Sequence, residues 1–117
     1  MPTVRSNGES PDLGLLQGTL DVMILKALSW GPMHGFAVAK WIRSTTDEVL
    51  QIDDGALYPA LHRMEQAGWI RGRWGTTEKN RQARFYAITA AGRRQLAEEQ
   101  ESWERLTDGV SRLLRFA

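Results

Sequence analysis

The residues of this chain most suited to chemistry are cations. Arg71, Arg73, Lys79, Arg81, Arg84, Arg93 and Arg94 fall within residues 71–94 against the single acid Glu78, a local net charge of +6. Residues 1–70 carry −3 and the tail from Gln95 carries −2, so the whole chain is only +1. A basic island in an otherwise acidic chain suits a polyanion, because each long cation that neutralises a phosphate releases condensed counterions. Charge alone serves a solvated surface hairpin equally well.

Other chemistries are poorly provided for. His34 and His62 are the only histidines and there is no cysteine, which excludes disulfides and thiolate metal sites. Asp53 and Asp54 are adjacent in sequence at a helix start. They read as caps, not as a general acid/base pair. No glycine-rich phosphate loop follows a strand, and there is no nucleophile elbow. The reading is therefore of a protein that is not an enzyme, with no metal and no cofactor.

The elements that position the cations follow from periodicity. The chain has 117 residues, 42% hydrophobic and 25% charged, the mix of one modest globular core. Residues 1–13 are polar and read as a disordered leader without a signal peptide, and no run is apolar enough to cross a bilayer, so a cytoplasmic location is expected. Leu20, Met23, Ile24, Ala27 and Leu28 keep helical spacing, with Thr19 as the expected N-cap, Asp21 in the first turn where the helix dipole favours an acid, and Gly31-Pro32 as the stop. A second helix is expected over Gly35–Arg43, with Phe36, Ala39 and Ile42 inward. Val49–Ile52 fits a brief strand or an extended linker. A third helix should begin near Gly55, capped by Asp53 or Asp54, with Leu57, Leu61 and Met64 inward and Gly68 ending it. Pro59 is awkward beyond the first turn. Ile70–Trp74 and Ala83–Ile88 then form a β-hairpin around a polar tip, with Tyr86 and Ile88 inside. Thr89 should cap a last helix reaching Leu114. The fold class is mainly α with a small hairpin: a winged helix-turn-helix over residues 14–89 and a C-terminal dimerisation helix over 90–117. Such a unit offers its third helix to a DNA major groove and its hairpin to the flanking backbone.

Several segments carry a more specific signal. Leu16-Gln17-Gly18-Thr19-Leu20, Gly31-Pro32-Met33-His34-Gly35-Phe36, Gly55–Met64, Gly68-Trp69-Ile70 and Phe85–Gly92 together resemble the PadR family of bacterial transcriptional regulators, in that family's order and spacing from about Leu15 to Trp103. The resemblance implies a homodimeric winged-helix repressor, released from its operator by a small molecule or another signal. The short tail resembles the branch with a single C-terminal helix. One position departs: the family often has Ser or Thr where this chain has Ala56, which loses a hydroxyl contact to phosphate but leaves a backbone N–H.

Within this frame the expected DNA contacts are Gly55, Ala56, Tyr58, His62 and Arg63 on the third helix, and Lys79, Asn80, Arg81 and Arg84 on the hairpin. Tyr58 can give its hydroxyl to a phosphate or serve as a core aromatic with a wet hydroxyl. Arg63 suits a guanine edge. On the last helix, Leu96, Trp103, Leu106, Val110 and Leu113 follow a heptad seam with one polar miss at Glu99. The seam is expected to pack on a partner's first helix through Leu16 and Leu20, the alternative being its own domain. Gly109 costs about 1 kcal/mol relative to Ala in mid-helix, which a close partner would justify. Trp103 at the dimer centre is either a packed anchor or, as the resemblance suggests, a stacking surface for a small apolar or aromatic effector. The competing functional reading is a winged-helix protein-interaction module without specific DNA binding.

Overall fold

A computed structural model describes residues 13–116, with side chains from Gly18 onward. The expected leader lies outside the described residues except for Leu13, and the side chain of Leu16 lies outside them too. The element order is α1 (Leu13–Leu28), β1 (Met33–His34), α2 (Gly35–Thr45), α3 (Asp54–Gln66), β2 (Ile70–Thr76), β3 (Gln82–Ile88) and α4 (Ala90–Arg115). The three strands form one antiparallel sheet in the order β1-β3-β2, registered by Met33 opposite Tyr86 and Ile70 opposite Ile88. Three helices, a small sheet and a long terminal helix make a winged helix. Among the described residues, no helix is long and apolar enough to cross a membrane.

One core holds these pieces. Ile24, Leu25, Ala27 and Leu28 of α1 meet Val38 and Ile42 of α2 and Leu57, Ala60, Leu61 and Met64 of α3, closed by Ile70, Tyr86 and Leu96. Burying each of the Leu, Ile, Val and Met side chains contributes about 1.5–3 kcal/mol. The helical spacing of the apolar positions in α1 and α3 is what lets two crossing helices share them.

Local departures from the sequence expectations have local causes. α1 begins six residues before Thr19, so Thr19 lies inside the helix and is not its cap. Phe36 is 66% exposed, and Val38 takes the inward place in α2. Gly35, Val38 and Ile42, at i, i+3 and i+7, form the buried face, and the His34 Nδ1 caps the helix by accepting from the Ala37 N–H at 3.2 Å. Residues 49–52 form no strand; a turn at Thr46–Glu48, with Asp47 and Glu48 at positive φ, runs into an extended linker. The strand the pattern missed is β1, two residues long. Pro59 sits in the second turn of α3, on its exposed face, where the Gly55 carbonyl loses its helical donor to solvent.

α4 is anchored by a close approach. The Thr89 hydroxyl accepts from the Gly92 N–H at 3.0 Å and donates to the Gly68 carbonyl at 2.6 Å. A β-carbon on Gly92 would stand 2.1 Å from the Trp69 carbonyl oxygen. The obstacle is backbone, so relief requires the whole helix to move. Replacing Gly92 by Ala should destabilise the fold by about 1–3 kcal/mol, the usual cost of overpacking. Thermal denaturation measures it, and an unchanged Tm would show that α4 is not pinned at this point.

Candidate nucleic-acid interface

The N-terminus of α3 is built by Asp53, whose Oδ1 accepts from the Ala56 N–H at 2.9 Å. This corrects the expectation at Ala56: its backbone N–H is already engaged and is not free for a phosphate. Leu57, Ala60, Leu61 and Met64 turn inward, which leaves Gly55, Tyr58, Pro59, His62 and Gln66 exposed. Tyr58 is 45% exposed while its ring lies over Gly35, where a β-carbon would come within 2.7 Å of Cε1. The packing role of Tyr58 is the one observed, its hydroxyl oxygen lying 2.8 Å from the same β-carbon position. One part of the ring packs on the start of α2, and the rest meets solvent.

Arg63 does something other than expected. Its Nη2 donates to Asp21 Oδ1 at 2.7 Å and its Nη1 to Oδ2 at 3.2 Å. The Asp21 side chain is only 5% exposed. A bidentate pair with a buried carboxylate removes the guanidinium from any base edge. Sequence reasoning placed Asp21 in the first turn of α1, favoured there by the helix dipole. The signal that would have exposed the pair is spacing: Asp21, Ile24, Leu25 and Leu28 are one buried stripe.

The hairpin tip is compact. The Thr77 N–H donates to the Arg81 carbonyl at 2.8 Å, and the Arg81 N–H to the Thr77 hydroxyl at 3.2 Å. Asn80 has φ +62°, a left-handed conformation that Asn tolerates. Lys79, Asn80 and Arg81 are exposed at the tip, and Arg71 and Arg73 alternate outward along β2. Arg84 differs from them: its Nη2 donates to Glu65 Oε2 at 2.6 Å, tying the hairpin to α3. That hydrogen bond, opposed by partial burial, holds the Glu65 carboxyl below its ordinary pKa. Trp74, 65% exposed on β2, lies 6.0 Å from the Arg84 guanidinium. Sequence reasoning gave neither Glu65 nor Trp74 a part, because both take their meaning from Arg84.

α4 divides into two parts. Leu96 is 8% exposed and belongs to the chain's own core, so its assignment to a dimer seam is corrected. Leu20 also packs against that core, and a β-carbon on Gly18 of α1 would lie 3.1 Å from Glu99 of α4. The first turns of α4 thus pack on α1 of the same chain. Further along, Trp103, Leu106, Val110 and Leu113 are 42–75% exposed. Outside the adjoining turns of α4 itself, no described atom lies within 4 Å of a β-carbon on Gly109.

An exposed helix with a basic hairpin beside it is the layout of a winged-helix regulator. Residues 24–98 match the model of the transcriptional regulator PadR-like family, and the chain belongs to that family. It is similar in structure to a transcriptional regulator from Clostridium thermocellum, with TM-score 0.77 and 29% identity over 87% of this chain and 99% of that one. It is likewise similar to a PadR family transcriptional regulator from Eggerthella lenta, with TM-score 0.70 and 32% identity over 90% of this chain and 89% of that one. Among curated proteins, an uncharacterised protein of Lysinibacillus sphaericus is 26% identical over 76% of this chain and 82% of its own length. A protein from a Streptomyces fradiae transposon is 36% identical over 76% of this chain, but the match spans only 24% of that protein. Family members are transcriptional regulators, not enzymes.

The Asp21–Arg63 pair makes its own prediction. Removing the guanidinium leaves a buried carboxylate without its partner, which costs about 3–5 kcal/mol in fully buried pairs. Arg63 is 35% exposed, so water will partly compensate. Arg63→Ala should lose about 2–3 kcal/mol of stability in urea unfolding. Loss of DNA affinity with no loss of stability would return Arg63 to the DNA.

Proposed function

We propose that this regulator is a homodimeric repressor that binds a pseudo-palindromic operator and is released by a small apolar or aromatic effector. The observation that carries the DNA reading is the state of the tip cations. Lys79 and Arg81 are exposed and make no ion pair among the described residues, whereas Arg63 and Arg84 do. Free cations on a projecting hairpin suit phosphates or a narrow minor groove. The exposed residues of α3, chiefly Gly55, Tyr58 and His62, would then meet the major groove, with Asn80 beside the tip cations. Ala56 would contribute there only as a small exposed methyl.

The dimer reading rests on the uncovered stripe of Trp103, Leu106, Val110 and Leu113 at heptad spacing. Two copies joined there would place two α3 helices about 34 Å apart, one turn of DNA, which calls for a two-fold site. Paired Trp103 rings at the centre would offer a stacking surface to a flat effector. Residues 14–89 would form the DNA-reading unit and the exposed part of 90–117 the dimer helix, acting in the cytoplasm where the operator lies. A protein-interaction module without DNA binding gains no support from the family match.

Two measurements test this reading. Arg81→Ala should weaken binding to a selected operator and to scrambled duplex alike, and lower the log–log salt slope by about 1 per subunit. Unchanged affinity and slope would reduce the tip to a solvated loop. Separately, the Leu106→Asp, Val110→Asp double variant should be a folded monomer by light scattering, because both side chains are more than 40% exposed in one chain. A double variant that remains a dimer would place the interface elsewhere.

A further inference from the structure

By residue type and position, Arg84 belongs with the cations that meet DNA. Its surroundings say otherwise. One oxygen, Glu65 Oε2, accepts from Arg84 Nη2 at 2.6 Å and from the Gly72 N–H at 3.2 Å. A single carboxylate on α3 thus holds both strands of the hairpin, β2 through its backbone and β3 through a side chain. Gly72 makes this geometry feasible. A β-carbon there would lie 2.5 Å from Arg84 Nε and 2.6 Å from its Cζ, so the guanidinium fills the space a side chain would take. The Trp74 ring, 6.0 Å away, adds a second contact to the same cation.

We propose that Glu65 is a specificity-determining positioning residue, which withholds Arg84 from DNA phosphate and fixes the hairpin's angle to α3. The proposal rests on the DNA-binding reading above. A cation on phosphate strengthens binding to every sequence alike, so it adds affinity without adding discrimination. A cation held by Glu65 adds nothing to that background. It makes the wing and α3 one rigid piece instead, so α3 meets base edges only in the register that the wing's backbone contacts allow. The Arg84 hydrogen bond lowers the Glu65 pKa, so the form of the carboxyl that holds the cation is the charged one. Glu65 is partly exposed, 29% at the side chain, so DNA phosphate competes with it directly for Arg84.

The test compares wild type, Glu65→Gln, Arg84→Gln and the double variant. Each is titrated against the selected operator and a scrambled duplex across salt concentrations. Glu65→Gln keeps the size of the side chain but frees the cation. On scrambled DNA the log–log salt slope should steepen by about 0.9 per subunit. The operator-to-scrambled ratio should fall about tenfold, on the scale of one lost base contact. Arg84→Gln should keep the wild-type slope yet lose the same selectivity, and the double variant should return the slope to the wild-type value. A purely structural role would lower stability without steepening the slope. Two results overturn the proposal: Glu65→Gln with slope and ratio unchanged, or Arg84→Gln with a slope flattened by about 0.9 per subunit, which would mean Arg84 already sits on phosphate. If Glu65→Gln does not fold, the Arg84→Gln slope decides alone. A wild type without salt-dependent binding to either duplex is a distinct result: it refutes the DNA reading, and the proposal falls with it.

Discussion

The arrangement of this molecule turns on one carboxylate. Asp21 lies in the buried stripe of α1, where an ionised side chain is tolerated only with a partner. Arg63, 42 positions along the chain, supplies two hydrogen bonds. An apolar pair of similar volume would stabilise the fold as well or better. What the ion pair adds is a directional constraint. Leucine against leucine tolerates sliding and rotation, whereas two hydrogen bonds from a planar fork favour one register of α3 on α1. α1 also carries the first turns of α4. α3 and α4 are thus referred to the same support.

The two ion pairs that leave α3 divide the labour. Arg63 reaches from α3 to α1 behind it, and Glu65 reaches from α3 to the hairpin beside it. Between them, one short helix is tied to both of its neighbours by charge as well as by its apolar face. The cations of residues 71–94 left over are the exposed ones of the tip, of β2 and of the start of α4: Lys79, Arg81, Arg71, Arg73, Arg93 and Arg94. The +6 of residues 71–94 therefore overstates the field available to DNA. Arg84 in that stretch is neutralised by Glu65, an acid from outside it.

The sequence was informative where structure is local. Helical spacing in α3, the cap at Asp53, the stop at Gly68, the hairpin and the Thr89 cap are each set by residues within a few positions of one another, and each can be read from the string. Three kinds of feature were not legible. The start of α1 was misread because Thr19 is an attractive cap by type, while the helix continues through it. The inward face of α2 was misread because Phe36 is the larger hydrophobe, whereas Gly35, Val38 and Ile42 are the positions that share the buried face. The partners of Arg63 and Arg84 lie 42 and 19 positions away. A sequence shows that a residue is cationic, not which acid it faces. Leu96 failed for a related reason: it continues the heptad of α4, but periodicity does not say whose surface fills the seam.

That division of α4 has a mechanical consequence in the proposed dimer. Leu96 and Trp103 are two helical turns apart, about 10 Å along the axis. The residues rooting α4 in its own domain and those left for a partner therefore lie on one short, continuous helix. No glycine or proline interrupts it between these two positions, so a rotation at the seam is carried into the domain without being absorbed. With each α3 about 17 Å from the dimer axis, half the groove spacing, a subunit rotation of about 15° moves it about 4 Å. That exceeds one base-pair step of about 3.4 Å. A ligand that alters the packing of two Trp103 rings by a modest angle would therefore misalign both half-sites without altering either winged helix. The same rigidity that keeps α3 and the wing in register is what makes the spacing between the two subunits sensitive to the seam.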